Sequence, residues 1–303
     1  MRRRITSLLA LLAVALTAVA VAPSPGAAGG WPMGTDEFPV TVNADNGKVE
    51  IDAQPERIVS LSATATEMLF AIDAGDQVVA VDDQSDYPSG VPTTDLSGLE
   101  PNAEAIAGYD PDLVIASDEA VADALDRVDI PVIAFDAPAR LKGAYAQIRQ
   151  LGKATGHSEE ASDLVTQMKD EIAALVDEVP DRDAAPTAYW ELDDQYFSVS
   201  SKTFIGQVLT LAGLANIADE AEDTSDYPQL SSEYIVDSDP DYIFLADTEC
   251  CGQSAETVAG RPGWGDLVAV QNEGVVALDD DVASRWGPRV VELFQVIVEA
   301  TTP

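Results

Sequence analysis

Two kinds of hydrophobic pattern alternate along the chain after residue 57. Short apolar runs predict four buried strands, at residues 58–61, 78–81, 113–116 and 131–135. The segments between them predict helices, at residues 64–72, 103–107 and 119–128. Ahead of this region, Val40–Val42 and Val49–Ile51 flank Asn46-Gly47, which predicts a β-hairpin. Apolar strands that alternate with short helices are typical of a parallel α/β sheet covered on both faces.

The middle of the chain has a different period. Apolar residues recur there every three or four positions, at Ala161, Leu164, Val165, Met168, Ile172, Leu175 and Val176. This spacing predicts one long amphipathic helix, with Ser158 as its N-cap and Pro180 beyond its end. The alternation then restarts, with strands at 187–190, 242–245 and 275–278 and helices at 204–212, around Glu233 and from Pro288 to about 299.

An internal echo relates the two α/β regions. Residues 104–112 and 233–241 both place Glu, Ile and Asp-Pro-Asp at the same offsets, and a predicted strand follows each time. We therefore expect two lobes of one design joined by a rigid helix. The predicted boundaries are an N-terminal lobe at 29–140, a connecting helical segment at 141–180 and a C-terminal lobe at 181–303.

The N-terminus has the features of a secretory signal. Arg2, Arg3 and Arg4 precede a run from Leu8 to Ala22 that is apolar except for one threonine, and small residues follow. We expect a signal peptide over residues 1–28, with its cleavage position undefined. Because no cysteine lies near its exit, a lipobox anchor is absent, and we expect an exported protein that is peripheral to the membrane, in the periplasm or outside the cell.

Charge and composition exclude several functions. The 303 residues include 16 Lys and Arg against 54 Asp and Glu, a net charge of −38, which excludes nucleic acid as a partner. Two cysteines and the single His157 are too few for a structural zinc site, and no Gly-x-Ser-x-Gly elbow accompanies the histidine. We expect no metal site and no catalytic residue. Acidic pairs leave one alternative of another class, an exported carboxylate-dependent hydrolase.

Large side chains gather where predicted strands end. Ligands of open α/β sheets bind outside the carboxyl ends of the strands. The candidates for stacking on a bulky ligand are Tyr87, Trp190, Tyr196 and Trp286, and the alternative for each is a place in the core of its lobe. Arg285 and Arg289 bracket Trp286, and a guanidinium in a cleft can bind an anionic oxygen with two hydrogen bonds. We expect Arg285 to contact the ligand.

Cys250 and Cys251 are sequence neighbours. A disulfide between them requires a strained ring, because Cα separations in disulfides exceed about 4.4 Å. Reduced, buried and intermolecular states are all compatible with the sequence, which assigns the pair no role.

Five segments together resemble the iron-siderophore and cobalamin class of solute-binding proteins that serve ABC importers. They are Pro55–Ile72, Asp86–Pro88, Asn102–Ile106, Pro111–Val114 and Ser284–Arg289. The resemblance implies two Rossmann-like lobes on a rigid connecting helix, with the ligand in the cleft between them. It also implies that Asp281 and Arg285 lie in that cleft, and that Glu104 and Glu233 dock the two lobes onto a membrane permease dimer.

The same resemblance guides the choice of ligand. The tryptophan that cobalamin binders place shortly before the Asn-x-Glu segment is missing, and Gly98 and Leu99 occupy that region. An iron(III)-siderophore chelate is therefore favoured over cobalamin or haem. Relatives that bind bare zinc or manganese use several histidines, which this chain lacks. We expect a monomer without a cofactor of its own, which delivers a metal chelate to a permease.

Overall fold

The structure, a computed structural model, describes residues 36–125 and 130–302. The predicted signal peptide lies outside these residues. Within the described part of the chain, no helix is both long and apolar enough to cross a membrane.

The predicted hairpin is confirmed. Strands β1 (Val40–Ala44) and β2 (Gly47–Ile51) pair antiparallel, with Val40 opposite Ile51. The Asn46 side chain at the turn donates to the Val132 carbonyl at 2.9 Å and accepts from the Ala134 amide at 3.0 Å. These bonds attach the hairpin to the edge of the first large sheet.

The N-terminal lobe is built on a five-stranded parallel sheet. Its strands are β3 (Ile58–Leu61), β4 (Val78–Asp82), β5 (Thr93–Leu96), β6 (Leu113–Ala116) and β7 (Val132–Ala134), in the order β5-β4-β3-β6-β7. The helices between them are α1 (Ala63–Ala71), α2 (Ala103–Ala107) and α3 (Glu119–Leu125). The sequence pattern did not predict β5, because this edge strand is largely polar and only Leu96 is buried.

The C-terminal lobe repeats this design with four parallel strands. These are β8 (Thr187–Glu191), β9 (Ala215–Asn216), β10 (Tyr242–Leu245) and β11 (Val275–Ala277), in the order β11-β10-β8-β9. Its helices are α6 (Phe204–Leu211), α7 (Ser232–Ser238), α8 (Ala255–Ala259), α9 (Val268–Gln271), α10 (Asp280–Ser284) and α11 (Val290–Thr301). Two parallel sheets, each with its own helices, confirm the predicted two-lobed α/β fold.

Two helices connect the sheets. The predicted long helix is confirmed as α5 (Ser158–Glu178), whose 21 residues span about 32 Å. The helical segment predicted from residue 141 contains a second helix that the sequence pattern did not resolve, α4 (Leu141–Thr155), which ends at Gly156 in the left-handed conformation. The predicted Ser158 cap is wrong: His157 is the N-cap, and the Ser158 amide donates to the Asp36 carboxylate at 3.1 Å. The boundaries proposed at residues 140 and 180 stay predictions.

The hydrophobic core shows how the lobes are joined. One continuous apolar cluster includes Met68 of the first lobe, Val165 of α5 and Phe294 of the second lobe. A separate cluster around Ile106 packs within the N-terminal lobe, and another around Trp264 packs within the C-terminal lobe. The shared cluster therefore fixes both lobes to the connecting helices.

The contact between α4 and α5 requires a glycine. A Cβ atom at Gly152 would lie 2.4 Å from the Ala161 Cβ and 2.8 Å from the His157 carbonyl oxygen. We expect Gly152→Ala to lower the free energy of unfolding by about 1–3 kcal/mol through overpacking, although alanine is the better helix former. Urea denaturation measures this loss.

The matched control is Gly260→Ala. A Cβ there would meet ordinary contacts of 3.4 and 3.5 Å. We expect a change within about 0.5 kcal/mol at this site. Equal losses at Gly152 and Gly260 would contradict a close approach of α4 and α5.

Candidate functional site

A cavity of about 270 Å³ lies at the carboxyl ends of the N-terminal strands. Residues that follow β3, β4, β5 and β6 line it, and Trp286 of the C-terminal lobe closes one side. We call it the interlobe cavity. Its hydroxyl groups belong to Ser62, Thr64, Ser97 and Ser117, and its carboxyl groups to Asp82 and Asp83. No lysine or arginine is among its lining residues.

Gly98 shapes the cavity. A Cβ there would lie 2.7 Å from the Leu61 carbonyl oxygen and 2.8 Å from Asp82 Oδ2, so the backbone can press against the ends of β3 and β4 only without a side chain. The next residue, Leu99, is 91% exposed. Burial raises the pKa of Asp82 against the lowering effect of its bonds to Ser85 and Gln84. The cavity therefore combines a weakened acid with an exposed apolar side chain.

A buried carboxylate joins the two lobes beside this cavity. Glu67 of α1 is 3% exposed and accepts bonds from two arginines of the other lobe. Arg285 Nη1 donates to Glu67 Oε1 at 2.9 Å, and Arg289 donates to the two Glu67 oxygens at 2.6 and 3.0 Å. We call this group the Glu67–Arg285–Arg289 cluster. Because breaking a buried ion pair strands a charge, the cluster resists separation of the lobes.

Arg285 has further partners. It donates to Asp86 at 3.1 Å and to the Gln84 carbonyl at 2.9 Å, and it pairs with Asp281 at 2.6 Å. Burial alone would raise the pKa of Asp86, but the hydrogen bond and charge of Arg285 lower it. Burial raises the pKa of Asp281 to about 6 despite Arg285, and the nearby Asp86 adds to this rise. Arg285 is thus already neutralised by the protein.

Four of the six predicted ligand-binding residues come together here. Arg289 lies 4.4 Å above the ring of Tyr87, which is 47% exposed. The Trp286 Nε1 donates to Gln147 Oε1 of α4 at 2.8 Å, which fixes its indole against the cavity. Asp281 and Arg285 complete the group. The structure places these residues side by side, and their contact with a ligand stays a prediction.

Trp190 requires a correction. It is fully buried and stacks on Phe244 with 6.0 Å between ring centroids, so its ring is closed to a ligand. A tryptophan in the interior of a central strand packs into the core, and the sequence alone did not distinguish this from a position at the strand end. Tyr196 lies in the C-terminal lobe, stacked on Trp264 at 5.6 Å.

The sequence analysis missed a second charged cluster, at the carboxyl ends of β8 and β10. Arg261 binds both oxygens of the fully buried Glu191 at 2.6 Å, and its guanidinium lies 4.6 Å from the Trp264 ring. Asp247 is also fully buried, and both its oxygens lack a hydrogen-bond donor among the described residues. Burial, together with the charge of Glu191, raises its pKa to about 7. In the sequence, Glu191 directly follows the apolar run 187–190, and this was the available signal for the cluster.

The two predicted docking glutamates occupy equivalent positions. Glu104 and Glu233 are exposed and lie in the first turns of α2 and α7. Asn102 and Ser231 cap these helices. The strands that follow, β6 and β10, each pair with the first strand of their own lobe. The echo in the sequence is therefore a repeat in the fold.

Comparison with known proteins identifies the family. Residues 58–282 match a protein family that is described as periplasmic binding protein. The chain belongs to the periplasmic binding protein family. This confirms the predicted resemblance to solute-binding proteins of ABC importers. Members of the family are substrate-binding transport proteins and not enzymes, so the alternative prediction of an exported hydrolase is wrong.

Three similar proteins illustrate the match. The Cobalamin-binding protein of Halobacterium salinarum is 34% identical over 95% of this chain and 81% of its own. An uncharacterized ABC transporter substrate-binding lipoprotein of Bacillus subtilis, YvrC, is 29% identical over 89% of this chain and 87% of its own. The solved structure of the periplasmic heme-binding protein RhuT from Roseiflexus sp. RS-1, in apo form, has a TM-score of 0.70 and 25% identity over 81% of this chain and 98% of its own.

Removing the Glu67 charge tests the bridge between the lobes. Glu67→Gln keeps the side-chain shape but leaves Arg285 and Arg289 without their shared carboxylate. We expect the free energy of unfolding to fall by about 3–5 kcal/mol. Urea denaturation measures it, with the exposed Glu56→Gln as the control, for which we expect a change within about 0.5 kcal/mol. A loss at Glu67 no larger than that at Glu56 would argue against the bridge.

Asp247 predicts a specific pH dependence. With a folded-state pKa of about 7 against an ordinary value of 3.8, the folded protein holds a proton that the unfolded chain has released. Stability therefore falls as pH rises from about 4 to about 7. Asn cannot ionise, so we expect Asp247→Asn to match the wild type near pH 4 and to exceed it near pH 8 by at least about 1 kcal/mol.

Denaturation midpoints at the two pH values measure this difference. Asp177→Asn, at an exposed position of α5, is the control and should follow the wild type at both. If Asp247→Asn is less stable than the wild type near pH 8, Asp247 is a needed anion and the assignment is incorrect.

Proposed function

We propose that this protein binds cobalamin, or a corrinoid of similar size and charge, at the interlobe cavity and delivers it to a membrane permease. The observation that carries this proposal is the charge of the lining: two carboxyl groups and no cation. Arg285 and Arg289, which flank the lining residue Trp286 in sequence, are neutralised by Glu67 and Asp281.

This lining argues against a strongly anionic chelate. A ferric tris-catecholate carries several negative charges, and near Asp82 and Asp83 it would meet like charge. A corrinoid presents uncharged amide groups and an apolar ring. Hydroxyl groups such as those of Ser62 and Ser97 suit the amides, and Leu99 with Trp286 suits the ring. A cavity of about 270 Å³ holds one edge of such a ligand, and the rest would lie over Leu99 and Tyr87.

The relatives support the same choice. The similar protein of Halobacterium salinarum is named as cobalamin-binding, and the match covers nearly the whole chain. The sequence favoured an iron chelate because a tryptophan was missing near Gly98. An exposed leucine at that place offers apolar area without the aromatic ring.

Ligand titration tests the proposal. Tryptophan fluorescence is followed during addition of cyanocobalamin, a ferric hydroxamate, a ferric catecholate and haem to the protein. We expect cyanocobalamin to bind at least about tenfold more tightly than the other three, a difference of about 1.4 kcal/mol. Tighter binding of a ferric chelate would restore the iron-siderophore prediction, and tighter binding of haem would indicate a haem-binding protein.

A variant of Leu99 locates the site. Burying a leucine side chain stabilises a complex by about 1.5–3 kcal/mol, so we expect Leu99→Ser to weaken cyanocobalamin binding by about 10- to 100-fold. The control is Tyr227→Ser, which alters another exposed large side chain outside the cavity. Equal effects of the two variants would place the ligand elsewhere.

We also propose that Glu104 and Glu233 dock the lobes onto two permease subunits. Both carboxylates are exposed, neither lines the interlobe cavity, and the fold repeats their position. This two-fold arrangement is what a dimeric partner with one cation on each subunit requires. Delivery from outside the membrane also rests on the proposed export of the chain by its N-terminal signal, without a lipid anchor.

Charge reversal tests the docking. We expect Glu104→Lys with Glu233→Lys to abolish uptake by the reconstituted transporter, because like charges then face each other, while ligand affinity stays unchanged. The control reverses two other exposed glutamates, Glu159 and Glu178 on α5, which changes the net charge equally. If the control slows uptake as much, bulk electrostatics and not specific pairing explains the effect.

A further inference from the structure

The loop after β10 carries two free thiols. Cys250 and Cys251 are both exposed and unbridged, and they are the only cysteines of the 303 residues. The function proposed above uses neither of them. Any thiol chemistry of this protein therefore belongs to this loop.

The loop has a fixed backbone. Asp280, in the first turn of α10, accepts hydrogen bonds from the amides of Thr248, Glu249 and Cys250 at 2.8, 3.1 and 2.8 Å. The Gln253 amide closes the loop by donating to the Asp247 carbonyl at 3.3 Å. The two cysteines thus lie on an ordered turn. When a ligand binds both thiols, the loop loses little backbone freedom.

Cys250 and Cys251 are sequence neighbours in this turn, so their Cα atoms are about 3.8 Å apart. The neighbouring Cys251 thiol, with burial and the nearby Asp280, raises the pKa of Cys250 to about 12. Side chains of neighbouring residues in an extended strand would point to opposite sides. The turn therefore offers two adjacent, exposed thiols to one ligand.

Two common fates of paired cysteines fit this turn poorly. Adjacent Cα atoms are about 3.8 Å apart, below the roughly 4.4–6.8 Å of ordinary disulfides, so a bond between Cys250 and Cys251 would be strained. A zinc ion requires about four ligands and deprotonated thiols. Within residues 36–125 and 130–302, no three groups of the kind that bind metals are placed to hold an ion.

We infer that Cys250 and Cys251 form a bidentate binding site for trivalent arsenicals. An organic arsenical with two hydroxyl groups needs only two sulfur ligands. Each thiol attacks arsenic, an As–S bond forms as an As–OH bond breaks, and the thiol proton leaves with the hydroxyl group as water. Two waters are released, arsenic stays trivalent and nothing is oxidised, so the reaction requires no oxidant or reductant.

Phenylarsine oxide, added to the whole protein, tests the site. We expect one phenylarsenic group per chain by intact mass, equal to the hydrated reagent less two waters, and loss of both thiols to alkylation by iodoacetamide. A small dithiol should reverse the binding, and a monothiol at the same thiol concentration should not. Cys250→Ser and Cys251→Ser each leave one thiol, and we expect at least about 100-fold weaker binding because the chelate is lost.

Two results would overturn the inference. One is wild-type affinity no higher than that of either single variant, which would show that the thiols act separately. The other is a protein, prepared in air without arsenical, that is lighter by two hydrogens and free of alkylatable thiol, which would show that the strained disulfide forms. Circular dichroism of each variant confirms folding, and cyanocobalamin binding is measured alongside, since the proposed function does not depend on this loop.

Discussion

One buried carboxylate, shared across the two lobes, fixes how the lobes meet. Glu67 lies in α1, the helix that follows β3 in the chain. It accepts hydrogen bonds from Arg285 and Arg289 of the other lobe. Desolvating these charges costs free energy, and a well-packed apolar contact could equal the cluster in stability. Unlike an apolar contact, bidentate ion pairs fix orientation. The cluster therefore sets how α10 and α11 meet the N-terminal lobe.

That orientation determines the cavity. Trp286 lies between the two arginines in sequence, and its indole donates a hydrogen bond to Gln147 of α4. The interlobe cavity thus has walls from two lobes held by two separate connections, the α4–α5 pair and the Glu67–Arg285–Arg289 cluster. A binding protein with such connections keeps its site largely preformed, which lowers the entropic cost of capturing a rigid ligand. Because Glu67 pairs with Arg285 and Arg289, their positive charge is neutralised outside the cavity, and the cavity lining is acidic and apolar.

The sequence predicted most of this architecture where periodicity was strong. Buried strands such as β3 and β6 and the 21-residue α5 followed from their apolar patterns. The polar edge strand β5 gave no such pattern. Arg285 was singled out correctly as a special residue, but its partner Glu67 stands 218 positions away among 54 acids, and no local rule selects it. The sequence predicted that Arg285 contacts the ligand, which stays a prediction, and the structure pairs its charge with Glu67, Asp86 and Asp281. The repeated Glu104 and Glu233 were visible because the repeat is in both sequence and fold.

In the proposed complex, a corrinoid binds between the lobes while the Glu67–Arg285–Arg289 cluster stays intact. A crystal structure of the protein with cyanocobalamin tests this most directly. We expect the corrin ring against Leu99 and Trp286, with both arginines still bonded to Glu67 and no guanidinium transferred to the ligand. A ligand bound away from the interlobe cavity, or Arg285 released from Glu67 to bind it, would rule out this mode of binding.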